Sequence, residues 1–310
     1  MSYDVIVLGE PLVEVATTAP FGHGVPATLG VSGDVVNAAA AAAAAGAATA
    51  VVARVPVGEL GDAVLARIRD LGIDDALVRR VPGQQGVYLV HADPAGQRGF
   101  SYARAGSAGS GLCPADLDLD VLAGAGAVLA GGITAALSAS ARAAVLAAAG
   151  VATRFVYDPN LRTRLTTAAE AARVLAEVAP HAFLVSPSAP GEISALLGTE
   201  DPATAAATLH ALGARAVAVT CGPEGVLLSC DGSVERVPAV PAPSVVDQTG
   251  AGDVFIGTVT ARVVLGDDLT EAVRLATAAA SLAVGGRGGT GLIADLGRVR
   301  AHAAGVAACG

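Results

Sequence analysis

Seven residues near the start of the last third, Asp247-Gln248-Thr249-Gly250-Ala251-Gly252-Asp253, place two carboxylates and two glycines together. They lie between a Pro-rich approach (residues 237–243) and an apolar run of helical character (254–265). Glycines at the mouth of a helix let backbone N–H groups converge on an anion, and the helix dipole adds positive potential there. An acid in the same turn can take a proton from whatever attacks that anion. Phosphoryl transfer to an alcohol requires that combination. Taken alone, the spacing reads equally as a Gly-containing turn in which Asp253 caps the helix.

A second polar cluster also opens an apolar helix: Gly33-Asp34-Val35-Val36-Asn37 runs into eight consecutive alanines and Gly46. Alanine is the best helix former, and an all-Ala surface lets a helix pack very close to a sheet. Asn37 in the first turn of such a helix needs hydrogen-bond partners, either as a structural cap-type residue or as a ligand contact. The one other asparagine, Asn160, stands in Asp158-Pro159-Asn160-Leu161-Arg162. Tyr88, Tyr102 and Arg104 suit a hydroxylated or carboxylated small molecule, but the tyrosines read equally as ordinary strand-surface residues. All 19 basic residues are arginine, which excludes a Schiff-base lysine and the lysine of a P-loop. A phosphate clamp must then use Arg, backbone N–H groups or a metal.

The elements that must position these groups alternate. The apolar run 5–9 predicts a buried strand, followed after the poly-Ala helix by a strand at 50–55 and a helix at 60–71. Glu10 and Glu14 lie in a stretch without helical period, and 22–32 reads as loop or edge strand. Runs at 87–91 and 98–102, separated by Asp93-Pro94-Ala95-Gly96, predict a hairpin in a small sheet outside the main one. Strands at 127–131, 154–157, 182–186 and 216–220 then alternate with helices at 138–149, 167–178 and 202–212. A hairpin (226–229, 234–237) and helices at 254–265 and 269–284 follow. This order implies an α/β fold whose parallel sheet is covered on both faces, with ligands at the carboxyl ends of the strands. The clusters Asp158–Arg162, Ser186-Pro187-Ser188 and Thr220-Cys221-Gly222 should therefore converge.

A chain of 310 residues can bury a full core, and residues 1–310 read as one large α/β domain. The sequence is 53% hydrophobic, yet its two uncharged windows, 35–53 and 121–141, are mostly Ala and Gly without aromatic anchors or basic flanks. They read as a buried helix and a strand-turn-helix, with no membrane partner. Asp4 interrupts the first apolar run, so a cytoplasmic location is expected. A net charge of −9 without a basic cluster argues against nucleic acid. Cys113, Cys221, Cys230 and Cys309 lack the paired spacings of a zinc or redox site and read as reduced thiols. Gly286-Arg287-Gly288-Gly289-Thr290-Gly291 fits the dinucleotide fingerprint by letter, but it follows a helix and reads as a loop.

Together these pieces resemble the ribokinase-like (PfkB) carbohydrate kinases over essentially the whole chain. The resemblance rests on Gly33-Asp34-Val35-Val36-Asn37-Ala38-Ala39 with Gly46, and on Asp247-x-Thr249-Gly250-Ala251-Gly252-Asp253. Thr220-x-Gly222-x-x-Gly225 looks like the family's nucleotide-side turn. The resemblance implies a three-layer α/β/α sandwich with a central mostly parallel sheet and a small β-lid built from about 10–32 and 86–104. It implies Asp253 as catalytic base, the turn of Gly250, Ala251 and Gly252 as anion hole, and ATP with Mg²⁺ as phosphoryl donor, a monovalent cation being a further option. Ser186, Ser188, Thr220, Gly222, Gly225 and Thr249 would lie on the nucleotide side, with Asp247 and Glu192 near the metal. Glu14, Gly33, Asp34 and Asn37 would hold the hydroxyls of a sugar or sugar acid, and pairing of two copies through the lid is left open.

Within the family the middle of the chain is similar to 2-keto-3-deoxygluconate kinases: Tyr88-Leu89-Val90, residues 96–104, Ser107-Ala108 and Asp158–Arg162. In those enzymes the matching Tyr, Arg and Asn residues (here Tyr88, Tyr102, Arg104, Asn160 and Arg162) contact the sugar acid, and Arg104 and Arg162 would meet its carboxylate. A neutral-sugar kinase and a catalytically weak sugar- or nucleotide-binding homologue are the competing readings. The chain departs from the family pattern at Ser32, where a glycine is usual, at Gly58, at Gln248, and at Ser188–Glu192, which lacks the usual Asn.

Overall fold

The computed structural model describes residues 2–92 and 98–307; the turn expected at 93–96, and Cys309, lie outside them. The strands are β1 (Val5–Leu8), β2 (Leu12–Thr17), β3 (Thr28–Ser32), β4 (Thr49–Pro56), β5 (Val78–Val81), β6 (Val87–Ala92) and β7 (Arg98–Ala103). They continue with β8 (Ala127–Gly131), β9 (Phe155–Asp158), β10 (Ala182–Val185), β11 (Ala216–Thr220), β12 (Val226–Cys230) and β13 (Ser233–Val237).

Nine of them form a central sheet in the order β13-β12-β11-β10-β9-β8-β1-β4-β5. From β5 to β11 all pairs are parallel, and β12 and β13 add an antiparallel edge. Ile6 and Leu8 point into a core with Val128, Phe155 and Tyr157, whereas Val5 and Val7 point into the opposite core with Val51, Leu129 and Phe255. Both faces are thus covered, which is why these strands read as unbroken apolar runs. The expected three-layer arrangement is present, and among the described residues no helix is long and apolar enough to cross a membrane.

The second sheet has the order β3-β2-β6-β7. Its β6–β7 pair is the expected hairpin, but β6 also runs parallel to β2. The stretch with no helical period is therefore a strand. Leu12, Tyr88 and Val90 make its small core. Elements not anticipated from sequence are β5 and the helices Leu119–Gly124, Gly132–Leu137, Gly191–Leu197 and Leu296–Ala307. The first three helices span two turns or fewer, too short for a helical period to register.

The poly-Ala helix (Asp34–Ala44) lies against the sheet, as expected, but its tightest approach is to another helix, Ala251–Val264. A Cβ at Gly257 would sit 2.1 Å from the Ala38 carbonyl oxygen. Asp253 stands one turn before Gly257, on the same helix face, and Asn37 adjoins Ala38. The close approach at Gly257 therefore sets these two side chains opposite each other.

Candidate active site

A cleft of about 660 Å³ lies between the carboxyl ends of the parallel strands and the small sheet. Asp158, Ser186 and Thr220 reach it from the ends of β9, β10 and β11, and Tyr88 and Tyr102 from the small sheet. The polar clusters after the strands do converge.

Asp253 occupies the first turn of the Ala251–Val264 helix, behind Gly250 at φ +83°. The N–H groups of Gly250, Gly252 and Asp253 have no partner among the described residues. The Ala251 N–H bonds the Gln248 carbonyl at 3.3 Å, and Ala251 does not line the cleft. A Cβ on Gly252 would meet nothing within 4 Å. The helix mouth thus opens onto the cleft with free donors, a ready anion site.

The chain's only two asparagines both point at Asp253. Asn37 Nδ2 donates to Oδ2 at 2.8 Å, and Asn160 Nδ2 to Oδ1 at 3.4 Å. Asn160 has φ +42°, a left-handed conformation that asparagine tolerates better than most residues. Its own N–H bonds Asp158 Oδ1 at 3.1 Å. Asn37, read from sequence as either structural or ligand-facing, is buried, bonded on both amide atoms, and lines the cleft.

Withdrawal from water raises the Asp253 pKa from its ordinary value, opposed by the Asn37 bond, the Arg162 charge and Asn160. Asp34 is pushed up to about 6, by burial first and the Asp253 charge second. Asp158 is raised by burial, then by Glu192 and Asp253. Such a crowd of acids favours shared protons or incoming positive charge.

Arg104 lines the cleft with its charge paired to Glu10, while its buried Nη2 has no hydrogen-bond partner among the described residues. It is buried and bound to Glu10, with Nε at 2.8 Å and Nη2 at 2.6 Å from Oε2. Ser107 donates to the other Glu10 oxygen. Glu10 carried no sequence signal beyond being an acid between two strands. Arg162, by contrast, is exposed, lines the cleft and has no ion pair among the described residues. Arg164, two residues on, also lines it and donates to the Phe100 carbonyl of β7 at 2.6 Å. Arg164 went unremarked in the sequence although it adjoins the Asp158–Arg162 cluster.

Gly33, Asp34, Thr249, Ser186, Ser188 and Thr220 line the cleft; Glu14, Asp247, Gly222 and Gly225 do not. Glu14 accepts a hydrogen bond from the Tyr88 hydroxyl. Gly225, at φ +89°, has no room for a Cβ, which would lie 2.1 Å from the Val237 carbonyl oxygen. Asp247 accepts from the Thr249 and Gly288 N–H groups, each at 2.9 Å. Glu192 staples two loops, accepting from Leu161 N–H at 2.6 Å and Ser188 N–H at 2.7 Å. Among the described residues no group of three or more His, Cys, Asp or Glu side chains is placed to hold a metal.

The sequence profile described as "pfkB family carbohydrate kinase" matches residues 23–295. The chain belongs to this family. A curated relative, the 2-dehydro-3-deoxygluconokinase of Thermoproteus tenax, is 35% identical over 289 residues, covering 91% of this chain and 89% of that protein. The 2-dehydro-3-deoxygalactonokinase of Haloferax volcanii is 26% identical, covering 91% of each chain. Among solved structures, the fructokinase of Xylella fastidiosa with bound ATP superimposes with a TM-score of 0.85 at 20% identity, covering 98% of this chain and 99% of that one. The fold of this PfkB family member is thus shared with a sugar kinase, and family and fold together match ATP-dependent carbohydrate kinases.

Proposed function

We propose that this chain transfers the γ-phosphoryl group of ATP to a hydroxyl of a sugar acid of the 2-keto-3-deoxygluconate type. The observation that carries the reading is Asp253 at a helix mouth whose Gly250, Gly252 and Asp253 N–H groups are free. The substrate oxygen attacks the γ-phosphorus as the bond to the ADP leaving oxygen breaks, and the hydroxyl proton passes to the Asp253 carboxylate. The free N–H groups hold the transferring oxygens. Arg162 and Arg164 supply positive charge for the substrate carboxylate.

The acids fit Mg²⁺, which takes one or two carboxylates and completes its shell with phosphate oxygens and water. Asp158 and Glu192 line the cleft and repel one another, so they would hold it; bound there, it would neutralise phosphate charge.

One observation favours a neutral-sugar kinase instead: the Arg104 charge is already matched by Glu10. ADP release measured with a panel of sugar acids and neutral sugars decides between them. Sugar acids should give the highest kcat/KM. A preference for ribose or fructose transfers the reading to the neutral class, and release with none of them leaves a binding protein.

A further inference from the structure

Ser32 departs from the glycine usual at its position, and it stands where the small sheet meets the cleft. It ends β3, is buried, and precedes Gly33 at φ +110°. Its hydroxyl donates to Asn37 Oδ1 at 3.2 Å, while Asn37 Nδ2 donates to Asp253 Oδ2. The two ends of a side-chain amide are nearly equal in size, so packing alone does not choose between the two orientations. Gly289 covers the Asn37 amide, where a Cβ would lie 2.2 Å from Nδ2 and 2.4 Å from Oδ1, and it presses on both ends alike. The reversed orientation would turn a carbonyl oxygen toward the Asp253 carboxylate and leave Ser32 facing an N–H donor.

Resting on the reading of Asp253 as base, we propose that Ser32 is a positioning residue. Its hydroxyl, at the end of β3 in the small sheet, holds the Asn37 amide with Nδ2 toward Asp253. The chain of contacts runs from Ser32 of β3 through Asn37 to the carboxylate. Its consequence is that the state of the small sheet is felt at the base. A glycine at position 32 cannot supply this link, because it has no donor for Oδ1.

The test follows the Asp253 carboxyl directly, by carbon-13 NMR titration of the full-length protein. A hydrogen bond donated to the ionised form lowers a carboxyl pKa, so losing it raises the pKa. Ser32→Ala and Ser32→Gly should both move the Asp253 titration to higher pH, and Ser32→Thr should return it toward wild type. The acid limb of the kcat/KM profile should move in the same direction, with kcat roughly 5- to 10-fold lower and the KM for ATP unchanged, the scale of one hydrogen bond. An Asp253 titration unmoved in Ser32→Ala and Ser32→Gly overturns the proposal. So does a shift that Ser32→Thr does not reverse. Turnover retained by Asp253→Asn would instead defeat the base assignment, while the titration still decides the role of Ser32.

Discussion

Asn37 Nδ2 lies 2.8 Å from Asp253 Oδ2, a contact spanning 216 positions of sequence. It joins the first turns of two helices that meet at Gly257 and Ala38. The cleft is therefore assembled by the packing of two helices as much as by the ends of the strands.

Asp253→Asn removes the proposed proton acceptor and keeps the shape. Turnover should fall at least ~10²-fold, with ATP and sugar affinity by calorimetry within a few-fold of wild type. Near-normal ADP release from this variant is incompatible with a base at this position.

Gly257→Ala tests the helix contact. The added methyl meets backbone 2.1 Å away, so the helices must separate, at a cost of about 1–3 kcal/mol. Thermal unfolding should show the loss. Activity should fall beyond it, because Asn37 moves away from Asp253. Gly252→Ala, with open space at its Cβ, should leave thermal stability nearly unchanged.

The pH dependence of stability has a definite sign at Asp34. Its pKa is raised from 3.8 to about 6, so the folded state binds the proton more tightly than the unfolded state. The favourable contribution is fully present below pH 3.8 and is lost as pH rises through about 6. Asp34→Asn should thus raise stability at pH 7 by about 2–3 kcal/mol, with the gain vanishing near pH 4. Denaturant melts at the two pH values check this, and an equal gain at both contradicts it.

Arg104→Ala should cost about 3–5 kcal/mol by stranding the buried Glu10 carboxylate. Gly86 and Gly109 close over Glu10, where Cβ atoms would lie 2.5 Å and 2.3 Å from its side chain, so it has little room to escape to water. Pairing Arg104→Met with Glu10→Gln should recover much of the loss. Failure of the double variant to recover would show that the pair is not the main role of Arg104.

Substrate charge is better probed at Arg162, which has no ion pair among the described residues. Arg162→Gln should lower kcat/KM for sugar acids by roughly 10–100-fold, the scale of a charge-assisted contact. Neutral sugars should change much less. Equal losses for both classes would assign Arg162 to the phosphates.

Much of this was legible in the chain. Apolar runs of 4–6 residues alternating with helical segments determined the parallel sheet, because strands covered on both faces must be apolar on both faces. The turn ending at Asp253 and the helix opening at Gly33 were visible because glycine and acid at a helix start carry local meaning. The parallel pairing of β2 with β6 was not visible, since pairing depends on chain distant in sequence and Glu14 breaks the apolar pattern of β2. The pairing of Arg104 with Glu10 was not visible for the same reason: the two lie 94 residues apart.

By itself the sequence determined the alternation of the main strands and helices, the glycine-and-acid turn at a helix mouth and the absence of lysine, all properties of residues and their neighbours. Only the tertiary structure decided which polar groups are already satisfied. Burial makes a charge or amide find a partner wherever the fold brings one. That requirement committed Arg104 to Glu10, turned both asparagines onto Asp253, and left Arg162 exposed at the cleft.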